Sequence, residues 1–89
     1  MRSSNEIFCK NIRFLRKHHS LTQKQLADIM DVSAATIRRM EKNDPHVRVN
    51  GNMLCKLANY FDLPTDWIIR MDLEEIWKTH AVFEQEEFT

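Results

Sequence analysis

The sequence predicts a single all-α domain, and three features of its 89 residues support that prediction. Apolar residues recur along most of the chain at intervals of three and four, the spacing of one helix face. One glycine and two prolines are too few for a sheet protein with many tight turns. A chain of this length can bury one modest core. We therefore expect several short helices around a single apolar interior.

The first two predicted helices are marked by an apolar stripe and by a capping pattern. The first spans residues 3–18. Its core-facing stripe consists of Phe8, Ile12 and Leu15. The second follows Thr22, because Thr22 and Gln25 have the spacing of a capping box. Its buried side should carry Leu26, Ala27, Ile29 and Met30.

A tight turn at Asp31 and Val32 leads to the third predicted helix, residues 33–42. Asp tolerates the left-handed conformation that such a turn needs better than branched residues do, and Ser33 is a favourable N-cap. At 100° per residue, the core side carries Ile37 and Met40. The opposite side carries Ala35, Arg38, Arg39 and Lys42. Small residues followed by cations suit a negatively charged groove, whereas the alternative is an ordinary solvated face.

Residues 21–43, LTQKQLADIMDVSAATIRRMEKN, resemble the helix-turn-helix of the Cro/phage-repressor type, the XRE family. The resemblance extends over about residues 5–69. The matching residues are Leu15, Arg16, Leu21, Thr22, Gln23, Leu26, Ala27, Val32, Ser33, Ile37 and Glu41, followed by residues 57–61 and 63–67. Two family glycines are replaced, one by Asp31 and one by Lys42-Asn43, and Asn and Asp are common substitutes at positive φ. The resemblance implies a five-helix lambda-repressor-like DNA-binding domain.

The resemblance also implies roles for individual residues of this domain. The positions that match base-reading residues are Ser33, Ala34, Ala35, Thr36 and Arg39. Arg38, on the same exposed face, is a further base-reading candidate. Arg39 is the best candidate for a bidentate contact to guanine. The expected phosphate contacts are Gln23, Lys24, Lys42, Asn43 and Arg48. An ion pair between Arg16 and Glu41 is implied as a structural link that fixes the angle of the recognition helix.

Two further helices are predicted after an irregular loop at residues 44–50. A turn at residues 50–52 should lead into the fourth helix. The core side of that helix carries Met53, Leu54, Leu57, Ala58 and Phe61. Thr65 is expected to cap a short fifth helix, residues 66–71, which carries Trp67.

We divide the chain into a DNA-binding domain, residues 1–71, and an extension, residues 72–89. The extension combines an amphipathic helix with an acidic tail, and its apolar residues recur at helical spacing through Phe83. Three interpretations are open: it folds back on its own domain, it forms a dimer contact, or it binds a different protein. The candidate dimer or partner contacts are Trp67, Ile76, Trp77 and Phe83.

The net charge of zero conceals a strong asymmetry between the two parts of the chain. Residues 1–56 contain 11 Lys and Arg against 5 Asp and Glu, while residues 57–89 contain 2 against 8. A charge asymmetry between the two parts of a chain indicates that the basic part binds a negatively charged partner such as nucleic acid. We expect the basic part to face double-stranded DNA and the acidic part to face away from it.

Several other chemistries find no support in the sequence. The residues form no metal-ligand spacing, and no nucleophile–base pair, paired carboxylates or phosphate loop can be assembled, so we expect neither an enzyme nor a cofactor. No apolar run approaches the roughly 18 residues of a membrane span, and no secretory signal stands at the N-terminus. A cytoplasmic protein with two buried, reduced thiols, Cys9 and Cys55, is the expectation.

The leading functional prediction is a sequence-specific transcriptional regulator that binds a palindromic operator as a homodimer. A phage or prophage repressor, a Cro protein, a restriction–modification controller and an antitoxin all remain open. The alternative class is an antitoxin or protein-interaction module that uses its acidic C-terminal helix and binds DNA weakly or not at all.

Overall fold

The computed structural model describes residues 4–79, with side chains from Glu6 onward, as an assembly of helices. Their bounds are α1 Ser4–His18, α2 Gln23–Met30, α3 Ala34–Glu41, α4 Gly51–Phe61 and α5 Thr65–Arg70. A further helical run at 73–79, here called α6, ends the described part. Residues 4–79 contain no strand. The all-α prediction is therefore confirmed.

Helix α1 lies at the centre of the packing, in contact with α3 and α5, while α2 contacts α3 and α4. The apolar side chains with no measurable exposure are Ile12, Leu26, Met30, Ile37, Met40, Leu57 and Ile68. Each helix therefore contributes one stripe to a shared interior, as the helical spacing predicts. Ile29, expected on the buried side of α2, is only half-buried.

The capping box that opens α2 is present in both directions. The Gln25 amide donates to Thr22 Oγ1 at 3.0 Å, and the Thr22 amide donates to Gln25 Oε1 at 2.8 Å. These bonds satisfy backbone groups that have no partner within the helix. At α3, the Thr36 amide donates to Ser33 Oγ at 3.1 Å, so the predicted N-cap also forms.

Non-glycine residues occupy the left-handed region at helix ends. Asp31 has φ 59° and ends α2, and Asn43 has φ 57° just beyond α3. The resemblance implies glycine at both positions, so the prediction that Asp and Asn adopt positive φ there is confirmed. Ser20 and Asp62 also have positive φ, at 56° and 55°, which the sequence patterns do not predict.

Three local expectations are wrong. Thr65 is the first residue of α5 rather than its cap; Pro64 holds the N-cap position, without a side-chain cap bond. Residues 50–52 do not form a turn, because α4 already begins at Gly51 and Asn50 Oδ1 accepts from the Met53 amide at 2.9 Å. Cys9 is buried as expected, but Cys55 is exposed, since only a narrow stripe of α4 faces the core.

Asn11 is a buried polar residue in the middle of α1, and it ties three helices together. Its side-chain amide donates to the carbonyls of Ile68 and Met71, each at 2.7 Å. Its Oδ1 accepts from the Leu73 amide at 3.1 Å. Leu73 is 5% exposed and belongs to the same core as α1.

The described start of the extension therefore packs on the helical domain. The division between residues 1–71 and 72–89 stays a prediction. Phe83, an expected partner contact, lies outside the described residues.

Candidate nucleic-acid interface

The inner side of α3 is fully buried, which leaves its other side to solvent. Ile37 and Met40 have no measurable exposure. The exposed residues of α3 and its C-cap are Ala35, Arg38, Arg39 and Lys42. The geometry therefore presents a small residue at the start of the exposed face and three cations further along it.

The first turn of α3 brings together the small and hydroxyl residues that match base-reading positions. Ser33 and Thr36 are joined through their hydroxyl oxygens, 2.9 Å apart. Thr36 is half-buried. Ala34 is also half-buried and packs in part against the core. Ala35 is exposed, so it is the alanine better placed to approach a thymine methyl group.

Arg39 has an acidic neighbour that the sequence patterns do not predict. Its Nε lies 3.8 Å from Asp44 Oδ2, and the Arg39 side chain is 67% exposed. Asp44 Oδ1 accepts from the His46 amide at 2.9 Å, which holds the carboxylate in the loop after α3. The ion pair therefore restrains the guanidinium without burying it.

The expected phosphate contacts lie at two edges of the helix-turn-helix. At the start of α2, Lys24 is exposed and Gln23 is half-buried. The Gln23 side-chain amide donates to Glu41 Oε1 at 3.2 Å. Beyond α3, Asn43 and Arg48 are both exposed. A helix N-terminus such as that of α2 offers unpaired backbone amides that suit phosphate.

The ion pair between Arg16 and Glu41 joins α1 to the end of α3. Arg16 Nε donates to Glu41 Oε2 at 2.6 Å, and Arg16 Nη2 donates to Glu41 Oε1 at 3.0 Å. The two side chains are 15% and 7% exposed. A third Arg16 bond, from Nη1 to the carbonyl of Leu21, reaches the loop before α2 at 3.0 Å. One guanidinium therefore links α1 to α3 and to the loop that leads into α2.

The predicted dimer or partner residues lie apart from α3. Trp67 on α5 is 42% exposed and Trp77 on α6 is 45% exposed. Ile76 is partly buried and packs against the core. The Trp77 side chain packs against α1, and its ring centroid lies 4.8 Å from that of His18 and 6.2 Å from that of Phe14.

Within residues 4–79, no group of His, Cys, Asp and Glu side chains has the arrangement of a metal site. No helix in that range is both long and apolar enough to cross a membrane.

Burial raises the pKa of the Cys9 thiol, through desolvation of the thiolate.

Two capped helices at a tight turn, with a cationic outer face on the second, define a helix-turn-helix protein. The family model described as helix-turn-helix matches residues 12–68 of this chain. Comparison with curated proteins and with solved structures gives no significant match.

The chain belongs to the helix-turn-helix family of the Cro/phage-repressor (XRE) type. It is a DNA-binding transcription regulator of that type, and the family is not normally enzymatic.

Proposed function

We propose that α3 enters the major groove of duplex DNA and reads a specific operator. The observation that carries this proposal is the outer face of α3, where Arg38, Arg39 and Lys42 are exposed while Ile37 and Met40 are buried. A helix in the major groove can place Arg against the O6 and N7 atoms of guanine. Arg39 is the residue we assign to this contact, with Ala35 and Thr36 near the base edges.

Phosphate contacts fix the register of the protein on DNA. Gln23 and Lys24 at the start of α2 are assigned to one strand segment, and Lys42, Asn43 and Arg48 beyond α3 to another. Such contacts contribute affinity without reading sequence. The Arg16–Glu41 pair supports this arrangement because it links α3, which reads the bases, to α1.

We further propose that the chain binds a palindromic operator as a homodimer and acts in the cytoplasm as a phage-type repressor. Two copies related by a two-fold axis place their recognition helices about 34 Å apart, one turn of DNA. The resemblance to Cro and phage repressors supports the repressor role. A two-fold arrangement also doubles the number of base contacts available to the protein, because each copy contributes one α3 of eight residues.

The test combines selection of bound sites from random duplexes with titrations of the selected site at several salt concentrations. Arg39→Ala should reduce the preference for the selected site over random DNA by a factor of about 5–150, corresponding to about 1–3 kcal/mol. Lys42→Ala should weaken binding to both DNAs alike and reduce the salt slope by about one.

Lys78→Ala is the matched control, because Lys78 is exposed on α6, away from the helix-turn-helix. It should leave both affinities unchanged. Equal losses of affinity for both DNAs from Arg39→Ala and Lys42→Ala would contradict the assigned roles. Binding that does not respond to salt would overturn the phosphate contacts.

A protein-interaction module, as in an antitoxin, is the second candidate function. The half-exposed Trp67 and Trp77 favour it, because large aromatic side chains anchor many protein interfaces. This alternative predicts weak binding or none, without enrichment of a particular site, while the proposed regulator predicts enrichment of a symmetric site.

A further inference from the structure

A groove lies between α1 and the start of α6, on the side of α1 that faces solvent. Its volume is about 500 Å³. The residues that line it are Lys10, Arg13, Phe14, Lys17, His18 and Glu74. All of them except Glu74 belong to α1, so the groove is built largely on one side of that helix. We refer to this feature as the basic groove.

The basic groove carries more positive than negative charge. Lys10, Arg13 and Lys17 are spaced three and four residues apart and therefore share one side of α1. The Lys10 ammonium is already paired, because its Nζ lies 2.7 Å from Asp72 Oδ2 and 3.9 Å from Glu74 Oε1. Arg13 and Lys17 are exposed, and neither forms an ion pair within the described part of the chain. Two cations of the groove can therefore accept an acidic ligand.

Helix α6 runs along α1 in the same direction and determines where the chain leaves the described part. At the start of α6, Asp72 contacts Lys10. One and a half turns later, the Trp77 ring contacts His18 at a centroid distance of 4.8 Å. Thr79 lies two residues further along α6, about 3 Å beyond Trp77 at the rise of an α-helix. The chain therefore continues from a point beside the end of the basic groove that includes His18.

The segment that follows has the opposite charge to the groove. Residues 80–89 lie outside the described residues, and the last six, EQEEFT, are the acidic tail. This tail has three glutamates, one phenylalanine and neither Lys nor Arg. The groove combines cations with Phe14, so the two surfaces match in charge and in apolar character.

The length of the chain allows the acidic tail to reach the groove. Five residues separate Thr79 from Glu84, and an extended chain of five residues spans up to about 17 Å. The distance along α1 from Lys17 to Lys10 is only about 10 Å, at 1.5 Å per residue. The first glutamate can therefore meet Lys17, and the later ones can turn back toward Arg13.

The weakness of exposed ion pairs favours an occupant from the same chain. Pairs between solvent-exposed side chains contribute little each and are screened by salt. A free acidic peptide with two or three such contacts would bind weakly. A tethered segment is present at an effective concentration of about millimolar, so the same contacts are sufficient to hold it.

We propose that the acidic tail occupies the basic groove of its own chain, with its glutamates against Arg13 and Lys17. Arg13 also lines a neighbouring cavity of about 300 Å³ together with Glu41 and Asn43, at the end of α3. Asn43 is a phosphate contact of the proposed function, and this second step rests on that assignment. Carboxylates placed beside it repel the DNA backbone, so the docked tail lowers the affinity for duplex of any sequence.

Cross-linking of the full chain with a water-soluble carbodiimide tests the docking, because this reagent joins only amines and carboxylates in direct contact. Mass spectrometry should find links between Lys17 and the glutamates of the acidic tail. Lys24 and Lys42, exposed cations outside the groove, are the internal controls. Links from Lys17 should exceed theirs at least about threefold, the effect of one or two exposed ion pairs. Added salt should reduce the excess.

A mixture of ¹⁵N-labelled and unlabelled chains identifies the occupant. Links should join residues of the same isotope, because tail and groove belong to one chain. Arg13→Gln should lower the yield of links at Lys17, since it removes the neighbouring cation. Arg70→Gln is the matched control, because Arg70 is 73% exposed on α5 and lies outside the groove. Circular dichroism establishes that both variants are folded.

Binding of random duplex tests the competition with DNA. The variant E84Q/E86Q/E87Q should bind random duplex at least about threefold more tightly than D28N/D62N/D66N. The second variant is the control, because it changes the net charge equally at exposed acids outside the groove. Excess random duplex should also reduce the links between Lys17 and the tail of the wild-type chain.

The outcomes separate this inference from the proposed function. Links from Lys17 no more frequent than those from Lys24 and Lys42 would overturn the docking and leave the groove to a separate acidic partner. Links mainly between differently labelled chains would overturn the tail of the same chain as the occupant. Equal affinities of the two variants for random duplex would overturn the competition. A chain that selects no duplex would contradict the proposed function, while the cross-links report on docking without DNA.

Discussion

Arg16 Nε lies 2.6 Å from Glu41 Oε2, so an arginine near the end of α1 holds the last residue of α3. The carboxylate is 7% exposed and also accepts from Gln23 at the start of α2. Three helices therefore meet at one carboxylate. Because α3 carries the proposed base contacts, the geometry of this pair bears on DNA recognition as well as on stability.

Replacing Arg16 should be costly for folding. Arg16→Met is expected to lower the free energy of unfolding by about 3–5 kcal/mol, because it leaves the buried Glu41 carboxylate without its cation. Arg13→Met is the control, since Arg13 is exposed on the same helix, and its effect should stay within about 0.5 kcal/mol. Urea unfolding followed by circular dichroism measures both. Similar losses in the two variants would contradict a structural role for the pair.

Asn11 should be as sensitive as a core residue. Asn11→Leu is expected to lower the free energy of unfolding by at least about 2 kcal/mol, because the buried carbonyl of Ile68 and the buried amide of Leu73 lose their side-chain partner at about 1–3 kcal/mol each. Amide hydrogen exchange of residues 73–79 should accelerate more than that of α2. The control is Asn59→Leu on the exposed side of α4, which should change neither quantity appreciably.

Glycine in place of Asp31 should stabilise the turn between α2 and α3. Asp31→Gly is expected to raise the free energy of unfolding by about 0.5–1 kcal/mol, because glycine adopts φ 59° without the steric penalty of a Cβ atom. The lost ion pair with Lys56 subtracts little, since Asp31 is 77% exposed. Asp28→Gly, inside α2, should instead be destabilising by about 0.3 kcal/mol, the difference between the helix propensities of Asp and Gly. Thermal unfolding measures the stability of both variants. A lower stability of Asp31→Gly would show that the Asp31 carboxylate contributes more than the relief of backbone strain.

Asp44 should limit non-specific binding. Asp44→Asn removes the negative charge 3.8 Å from Arg39, while its amide oxygen can still accept from the His46 backbone. We expect higher affinity for random duplex and a smaller preference for the operator, because the released guanidinium is free to bind phosphate. Asp66→Asn on α5 is the control with the same change of charge. An unchanged ratio of the two affinities would mean that Asp44 does not restrain Arg39 in solution.

The two cysteines should differ in reactivity. Cys55 is exposed, whereas Cys9 is buried and its thiol has a raised pKa, so less thiolate is present at neutral pH. A disulfide reagent such as 5,5′-dithiobis(2-nitrobenzoate) should therefore react rapidly with one thiol per native chain and with two in denaturant. Cys55→Ser should abolish the rapid reaction. Two fast thiols in the native chain would contradict the burial of Cys9.

The helix-turn-helix was predictable because its signals are local. Thr22 with Gln25 and Ser33 with Thr36 form caps within one turn of chain, and Asp31 marks the turn between them. Each such signal depends on a few neighbouring residues. The family resemblance then supplied the pairing of Arg16 with Glu41, which lie 25 residues apart and which spacing alone does not join.

The sequence patterns did not predict features that depend on tertiary contacts. Asn is a polar residue of the kind expected on the exposed side of a helix, so the sequence does not indicate that Asn11 is buried. The partners of Asn11 lie 57–62 residues away. Cys55 lies beside apolar residues but on the outer side of α4. Asp44 approaches Arg39 only because the chain reverses after Asn43 in the left-handed conformation. In each case the neighbour that decides the role comes from elsewhere in the fold.

The bonds made by Asn11 also set a minimum length for any functional fragment. The family match ends at residue 68, yet the carbonyl of Met71 and the amide of Leu73 are both held by Asn11. A polypeptide that keeps α1 but is cut after residue 68 would retain the complete helix-turn-helix and leave the buried Asn11 side chain without its partners at Met71 and Leu73. Engineers who graft this DNA-reading unit onto another protein should therefore carry the chain past Leu73.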